Sequence, residues 1–174
     1  DLGHRRIGLL AGRSDLESAR RREAGYRAAL ADAGIEFDPT LVQAGGFTEE
    51  TSEVPALTLL SLADRPTAIF AANDLSAMQV LRTAEQLGLS VPDDLSVVGF
   101  DNIPESAMTE PPLTTVDQSI QALGEEAVRI LVELLERPGA FVSARRWDRP
   151  HCRRLWIRRS RLDRRGRRRS NRVR

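Results

Sequence analysis

The chain has 174 residues, 41% of them apolar and 29% charged, enough for one domain with a buried core. No apolar run is long enough to cross a bilayer, residues 1–6 hold no apolar signal segment, and a single cysteine, Cys152, excludes an internal disulfide. The expectation is a cytoplasmic protein without a membrane partner, whose net charge of +1 conceals an acidic body and a basic end.

Over the first 120 residues short apolar runs alternate with longer amphipathic stretches, the pattern of repeated βαβ units and a mostly parallel sheet of about five strands flanked by helices. The run from Arg6 to Ala11 reads as a strand ending at Gly12, with Ser14 or Asp15 as cap of a helix over 16–32. Its Leu16, Ala19, Tyr26 and Leu30 are expected to face the sheet. Gly25 would allow close backbone approach, and Gly34 would stop the helix. Thr40 to Ala44 reads as the second strand and Gly45-Gly46 as the turn after it. The next helix is expected over 52–63 with Ser52 as cap, because Pro55 breaks no hydrogen bond only in a first turn.

Thr67 to Ala71 is apolar throughout, as suits a strand covered on both faces. Asp74 is the expected cap of a helix over 75–87 that Gly88 ends, and Leu95 to Phe100 and Leu113 to Val116 complete the strands. From Ser119 to Glu136, apolar residues at 120, 123, 127, 130, 131 and 134 keep helical spacing, and Pro138-Gly139 would end that helix.

In open α/β sheets ligands bind beyond the carboxyl ends of the strands. The sequence puts Phe47 after the second strand, Asn73 and Asp74 after the third, Asp101 after the fourth and Gln118 after the fifth, with Arg22 in the early turns of the first helix. A carboxylate accepts hydrogen bonds from neighbouring hydroxyls, a guanidinium donates a fixed fork, and amides do both. An aromatic ring covers the apolar face of a sugar or stacks on a purine, so both ligand classes stay open. Each residue also has a plainer reading: Arg22 as one of a solvated run of three arginines, Asn73 and Asp101 as turn formers, and Phe47 as core.

Three blocks in order, Arg65-Pro66-Thr67-Ala68-Ile69-Phe70-Ala71-Ala72-Asn73-Asp74-Leu75-Ser76-Ala77, Val97-Val98-Gly99-Phe100-Asp101-Asn102 and Pro111-Pro112-Leu113-Thr114-Thr115-Val116-Asp117-Gln118, resemble the effector-sensing domain of LacI/GalR transcription regulators. The resemblance covers roughly residues 3–143. It implies the second lobe of a periplasmic-binding-protein-like sensor and a ligand-controlled DNA-binding regulator of repressor type, with a small-molecule effector, a sugar before a purine. It also implies effector contacts at Arg22, Phe47, Asn73, Asp101 and Gln118, with Ser18 secondary, and a structural role for Asp74. The helix after Ser119 would belong to the other lobe. Operator DNA would be reached through an N-terminal domain outside this sequence, and a homodimer is expected. A sugar solute-binding protein of a transporter is the alternative on the same fold.

Nothing in the sequence calls for a cofactor or for catalysis. There is no phosphate-binding Gly-Lys loop, no Gly-x-Ser-x-Gly elbow and no paired-histidine motif, and His4 and His151 are the only histidines. Cys152 beside His151 lacks further ligands, so no metal site is expected. After Ala144 the family pattern stops. Residues 1–144 hold 11 arginines against 23 acidic residues and residues 145–174 hold 15 against 2, with no lysine anywhere. The division expected is therefore a partial effector-binding domain over 1–144 and an irregular, disordered Arg-rich tail over 145–174. Such a tail is either the degenerate end of a reading frame or a nucleic-acid-binding segment.

Overall fold

The apolar runs become neighbouring strands because each is too short and too uniformly apolar to be covered by anything but helices on both faces. In the structure, a computed structural model that describes residues 2–136 and 151–153, these are β1 (Ile7–Ala11), β2 (Val42–Ala44), β3 (Ala68–Ala71), β4 (Ser96–Asp101) and β5 (Thr114–Asp117). They lie in the order β2-β1-β3-β4-β5 and all run parallel. A sixth strand, β6 (His151–Arg153), pairs antiparallel with β5, Asp117 opposite His151 and Thr115 opposite Arg153. The sequence reading expected no strand in that segment. The outer edge of β5 offers a row of backbone donors and acceptors, and a ladder built on backbone groups needs no apolar side-chain pattern. Of the remaining tail, residues 145–150 and 154–174 lie outside the described residues, as do Pro138 and Gly139.

Side chains alternate across the sheet and fill two cores. Leu10, Ile69 and Val97 point to the face covered by α2 (Glu49–Leu60) and α3 (Asp74–Gln86), where they meet Leu59, Val80 and Leu95. Leu9 and Phe70 point to the other face, where α1 (Glu17–Asp32) supplies Tyr26 and Leu30. The Tyr26 hydroxyl donates to the Ile7 carbonyl at 2.7 Å, so its one polar atom is satisfied inside this core.

Several local expectations change. Helix α1 is preceded by Leu16, not by a capping Ser14 or Asp15, and Leu16 is exposed. Arg13 and Asp15 form an ion pair with each other instead. Gly25 has nothing within 4 Å of the position a β-carbon would take, so no close approach explains it, whereas Gly34 ends the helix with a φ of +63°. Thr40 and Leu41 of the expected second strand belong instead to a single 3-10 turn, Pro39–Leu41, capped by Asp38. Helix α2 begins earlier than expected, because Thr48 and Thr51 form a reciprocal capping box. Pro55 consequently sits inside the helix and not in its first turn. Ser52 is buried, its hydroxyl against the Gly45 carbonyl and the Ser76 hydroxyl.

Helix α4 (Ile120–Glu136) forms where its spacing predicts, but none of its residues is buried. Ile120, Val128 and Leu131 are about three-fifths exposed, at 61%, 60% and 60%. An apolar helix left open in this way is what a segment expected to pack on another lobe presents.

Candidate functional site

All five parallel strands deliver their following loops to one edge of the sheet. That edge is built with unusual backbone: Phe47, Asp101, Asn102 and Ser119 have φ values of 78°, 125°, 60° and 53°. Non-glycine residues in this region are strained and persist only where the surroundings fix them. Two of them, Phe47 and Asp101, carry side chains that meet Arg22.

The structure brings Arg22, Asp101 and Gln118 together. Asp101 Oδ1 accepts from Gln118 Nε2 and from Arg22 Nη2, the latter at 3.4 Å. Arg22 Nη1 donates to the Ala72 carbonyl at 2.8 Å, which anchors the guanidinium to the end of β3. Its carbon lies 4.1 Å from the centre of the Phe100 ring and 5.7 Å from that of Phe47. A cation between two aromatic rings is held by their negative faces as well as by hydrogen bonds. Arg22 is thus no member of a solvated run: its side chain is 15% exposed, while that of Arg21 is 80% exposed and pairs with Glu17.

Burial dominates the electrostatics. It pushes the Asp101 carboxyl above the usual carboxylate range, with nearby Asp74 adding to the push, and the Arg22 guanidinium and the Gln118 hydrogen bond only partly offset it. Burial likewise lowers Arg22 from its ordinary value, against the pull of Asp101. Both shifts express loss of water around charged groups that have few compensating partners.

Asn73 serves the frame of the site. Its side-chain oxygen accepts from the Ser76 amide as the cap of α3, and its nitrogen donates to the Phe47 carbonyl at 2.9 Å. The cap is therefore Asn73, one residue before the expected Asp74. Asp74 is fully buried and accepts from the Ile103 amide at 2.9 Å and from the Thr115 hydroxyl, tying α3 to the segments after β4 and within β5. Ser18 stands one turn before Arg22 on α1 and lines a cavity of about 670 Å³ with Arg22, Phe100 and Gln118. It makes no hydrogen bond to Asp101.

Sequence reasoning missed three contributors. Phe100 stacks on Arg22, and its place just before Asp101 at a strand end was the available signal. Gly12 lies under the ring of Phe47, where a β-carbon would overlap it. The Ala72 carbonyl carries no side-chain signal at all. Among the described residues, no group of three or more His, Cys, Asp or Glu side chains is arranged to hold a metal ion, and no helix is long and apolar enough to cross a membrane.

Comparison with known proteins decides the family. The profile of the periplasmic binding protein-like domain matches residues 1–160. The chain belongs to that family. Within it the chain is similar to the C-terminal half of the effector-binding region of LacI-type regulators, as the sequence blocks imply. It is 43% identical over 133 residues to the HTH-type transcriptional repressor PurR of Photobacterium profundum, covering 76% of this chain and 40% of that protein. Among solved structures, a transcriptional regulator CelR-cellobiose complex superposes with a TM-score of 0.73 at 39% identity, over 79% of this chain and 42% of that one. The lac repressor dimer bound to operator and the anti-inducer ONPF gives 0.72 at 34%, over 80% and 48%. The chain therefore spans about two-fifths of the length of the curated relatives it matches, 40% in the case of PurR. Those relatives are transcriptional regulators.

Proposed function

We propose that this chain is the ligand-sensing part of a LacI/GalR-type transcriptional repressor and that its effector is a sugar. The observation that carries this is the Arg22–Asp101–Gln118 network beside Phe47, at the carboxyl edge of a parallel sheet. Asp101 accepts from a pair of ring hydroxyls, Arg22 and Gln118 donate to ring or hydroxyl oxygens, and Phe47 covers the C–H face. Asn73 acts by holding the Phe47 backbone, and Ser18 contacts the outer part of the ligand. A CelR structure that contains cellobiose supports a sugar over a purine.

The site binds and does not react. Its only strongly placed groups are one carboxylate, one guanidinium and one amide, none of which is paired with a nucleophile. In the whole regulator, working in the cytoplasm, the effector would close this lobe against the other and favour one of two arrangements of a dimer on operator DNA. The dimeric, operator-bound lac repressor supports that part of the reading.

Ligand-observed NMR titration of the chain with cellobiose, a panel of monosaccharides and a panel of purine bases tests this. Saturation transfer to a sugar that Asp101→Ala abolishes is the expected result. Transfer only to purines would overturn the sugar assignment, and sugar binding that Asp101→Ala leaves intact would remove Asp101 from the site.

A further inference from the structure

Strand β4 does not end as its own alternation requires. Val97 lies in the core under α2 and α3, Phe100 meets Arg22 of α1, and side chains alternate along a strand, so an extended residue 101 would follow Val97 and Gly99 toward α3. Asp101 instead stands at a φ of 125°, and its carboxylate meets Arg22 and Gln118. Asn102 follows at a φ of 60°. Two consecutive non-glycine residues at positive φ persist only where their surroundings hold them there. The hydrogen bonds from Arg22 and Gln118 reach the side chain of Asp101 and not its backbone.

The backbone is gripped from elsewhere. The Asn102 amide donates to the Thr115 hydroxyl at 3.2 Å, and the Ile103 amide donates to Asp74 Oδ2 at 2.9 Å. The Thr115 hydroxyl gives its one proton to Asp74 Oδ1, which leaves its lone pairs for Asn102. One hydroxyl and one carboxylate, joined to each other, thus take two successive amides. Neither holder can drift: Asp74 is fully buried at the start of α3, and Thr115 is 2% exposed in β5, opposite Gly99. Gly99 makes the room, because a β-carbon there would overlap Asp74 Oδ1.

We infer that Asp74 and Thr115 are positioning residues for the effector carboxylate: their clamp on the Asn102 and Ile103 amides keeps the end of β4 turned so that Asp101 meets Arg22 and Gln118. The inference rests on the reading of that network as the effector site. Without the Thr115 hydroxyl the Asn102 amide loses its acceptor and Asp74 loses a donor. The turn then relaxes toward extended backbone, which takes the carboxylate away from Arg22. The clamp is complete in the chain alone, so the ordering of this carboxylate does not have to be supplied by the ligand.

Thr115→Val keeps the shape of the side chain and removes the hydroxyl, whereas Thr115→Ser keeps the hydroxyl. The three-bond coupling between the amide and α protons of Asp101, measured by NMR in the full chain without ligand, reads φ directly, being small at 125° and large in an extended strand. A small coupling is expected in the unchanged chain and in Thr115→Ser, and a large one in Thr115→Val. Sugar affinity by ligand-observed NMR should fall about tenfold in Thr115→Val, the size of one lost hydrogen bond to a charged group, and recover in Thr115→Ser. A role in stability alone would lower the urea midpoint of Thr115→Val and leave the coupling small, and that result overturns the inference. A large coupling in Thr115→Ser overturns it too. Hydrogen exchange of the Asn102 and Ile103 amides in the unchanged chain requires no variant to fold: both should be protected, and exchange at the rate of an open loop overturns the clamp. If no sugar binds the unchanged chain, the effector reading fails, and the coupling still decides the clamp.

Discussion

The ring of Phe47 occupies the space that a side chain on Gly12 would need. The two residues follow different strands, and the left-handed backbone at Phe47 together with the Asn73 hydrogen bond to its carbonyl holds the ring in place. Glycine at position 12 is thus what lets the aromatic side chain lie against the sheet edge beside Arg22.

Gly12→Ala is expected to expel the Phe47 ring and leave the strands intact. Effector affinity should fall about tenfold or more, with a loss of stability of only about 1–3 kcal/mol. Ligand-observed NMR and urea denaturation of the same variant separate the two effects, and unchanged affinity would mean that Phe47 does not cover the ligand.

The effector edge should be acid-sensitive at a higher pH than an ordinary carboxylate dictates. Asp101 accepts most strongly from hydroxyls when ionised, and burial raises its pKa above the usual carboxylate range. Binding should therefore weaken as the pH falls toward that raised value. The stability effect has the opposite direction: a raised folded pKa means that the folded state binds the proton more readily, so this group's contribution is full below its unfolded pKa and is lost as pH rises through the folded one. Asp101→Asn should remove both dependences, which titrations of binding and of urea midpoint against pH will show.

Gly99→Ala should be among the most damaging substitutions in the chain. A β-carbon there would overlap Asp74 Oδ1 and lie 3.0 Å from Leu113 Cδ2. Asp74 is fully buried and cannot move without releasing Thr115 and the Ile103 amide. A loss of about 3 kcal/mol or more is expected in urea denaturation. A loss below about 1 kcal/mol would show that the Asp74 anchor yields easily.

Helix α2 offers two opposite tests. Thr48→Ala removes the reciprocal cap and should cost about 1 kcal/mol. Pro55→Ala restores a backbone donor inside the helix and should raise the denaturation midpoint. A fall in the midpoint would mean that the proline is held by packing that outweighs its missing hydrogen bond.

The strands, the helices and the side of the sheet that carries polar residues were legible, because periodicity and glycine stops act locally. Choices between adjacent capping residues were not. Asn73 and Asp74 are equally good caps in sequence, and the decision falls to Thr115 and Ile103, more than 25 positions away, which claim the Asp74 carboxylate. Ser52 gave way to Thr48 for the same kind of reason, since Gly45 and Ser76 take its hydroxyl. In the site, Arg22 was found by family resemblance, but its selection from Arg20-Arg21-Arg22 is a matter of helix phase: only its side chain reaches Ala72 and Asp101. Strand β6 left no trace in composition because a ladder pairs backbone groups, which every non-proline residue carries.

The φ of 125° at Asp101 also limits which residues this edge of the sheet can carry. That angle lies beyond the left-handed well that asparagine and aspartate tolerate, so only glycine enters it without strain, and glycine brings no charge. A saturation library at position 101 sorted for folded protein should be poor in β-branched and bulky residues, whatever ligand is offered. Arg22 lies in a regular helix and Gln118 outside the strained positions, so new specificities have to be sought there while the carboxylate stays as a fixed point.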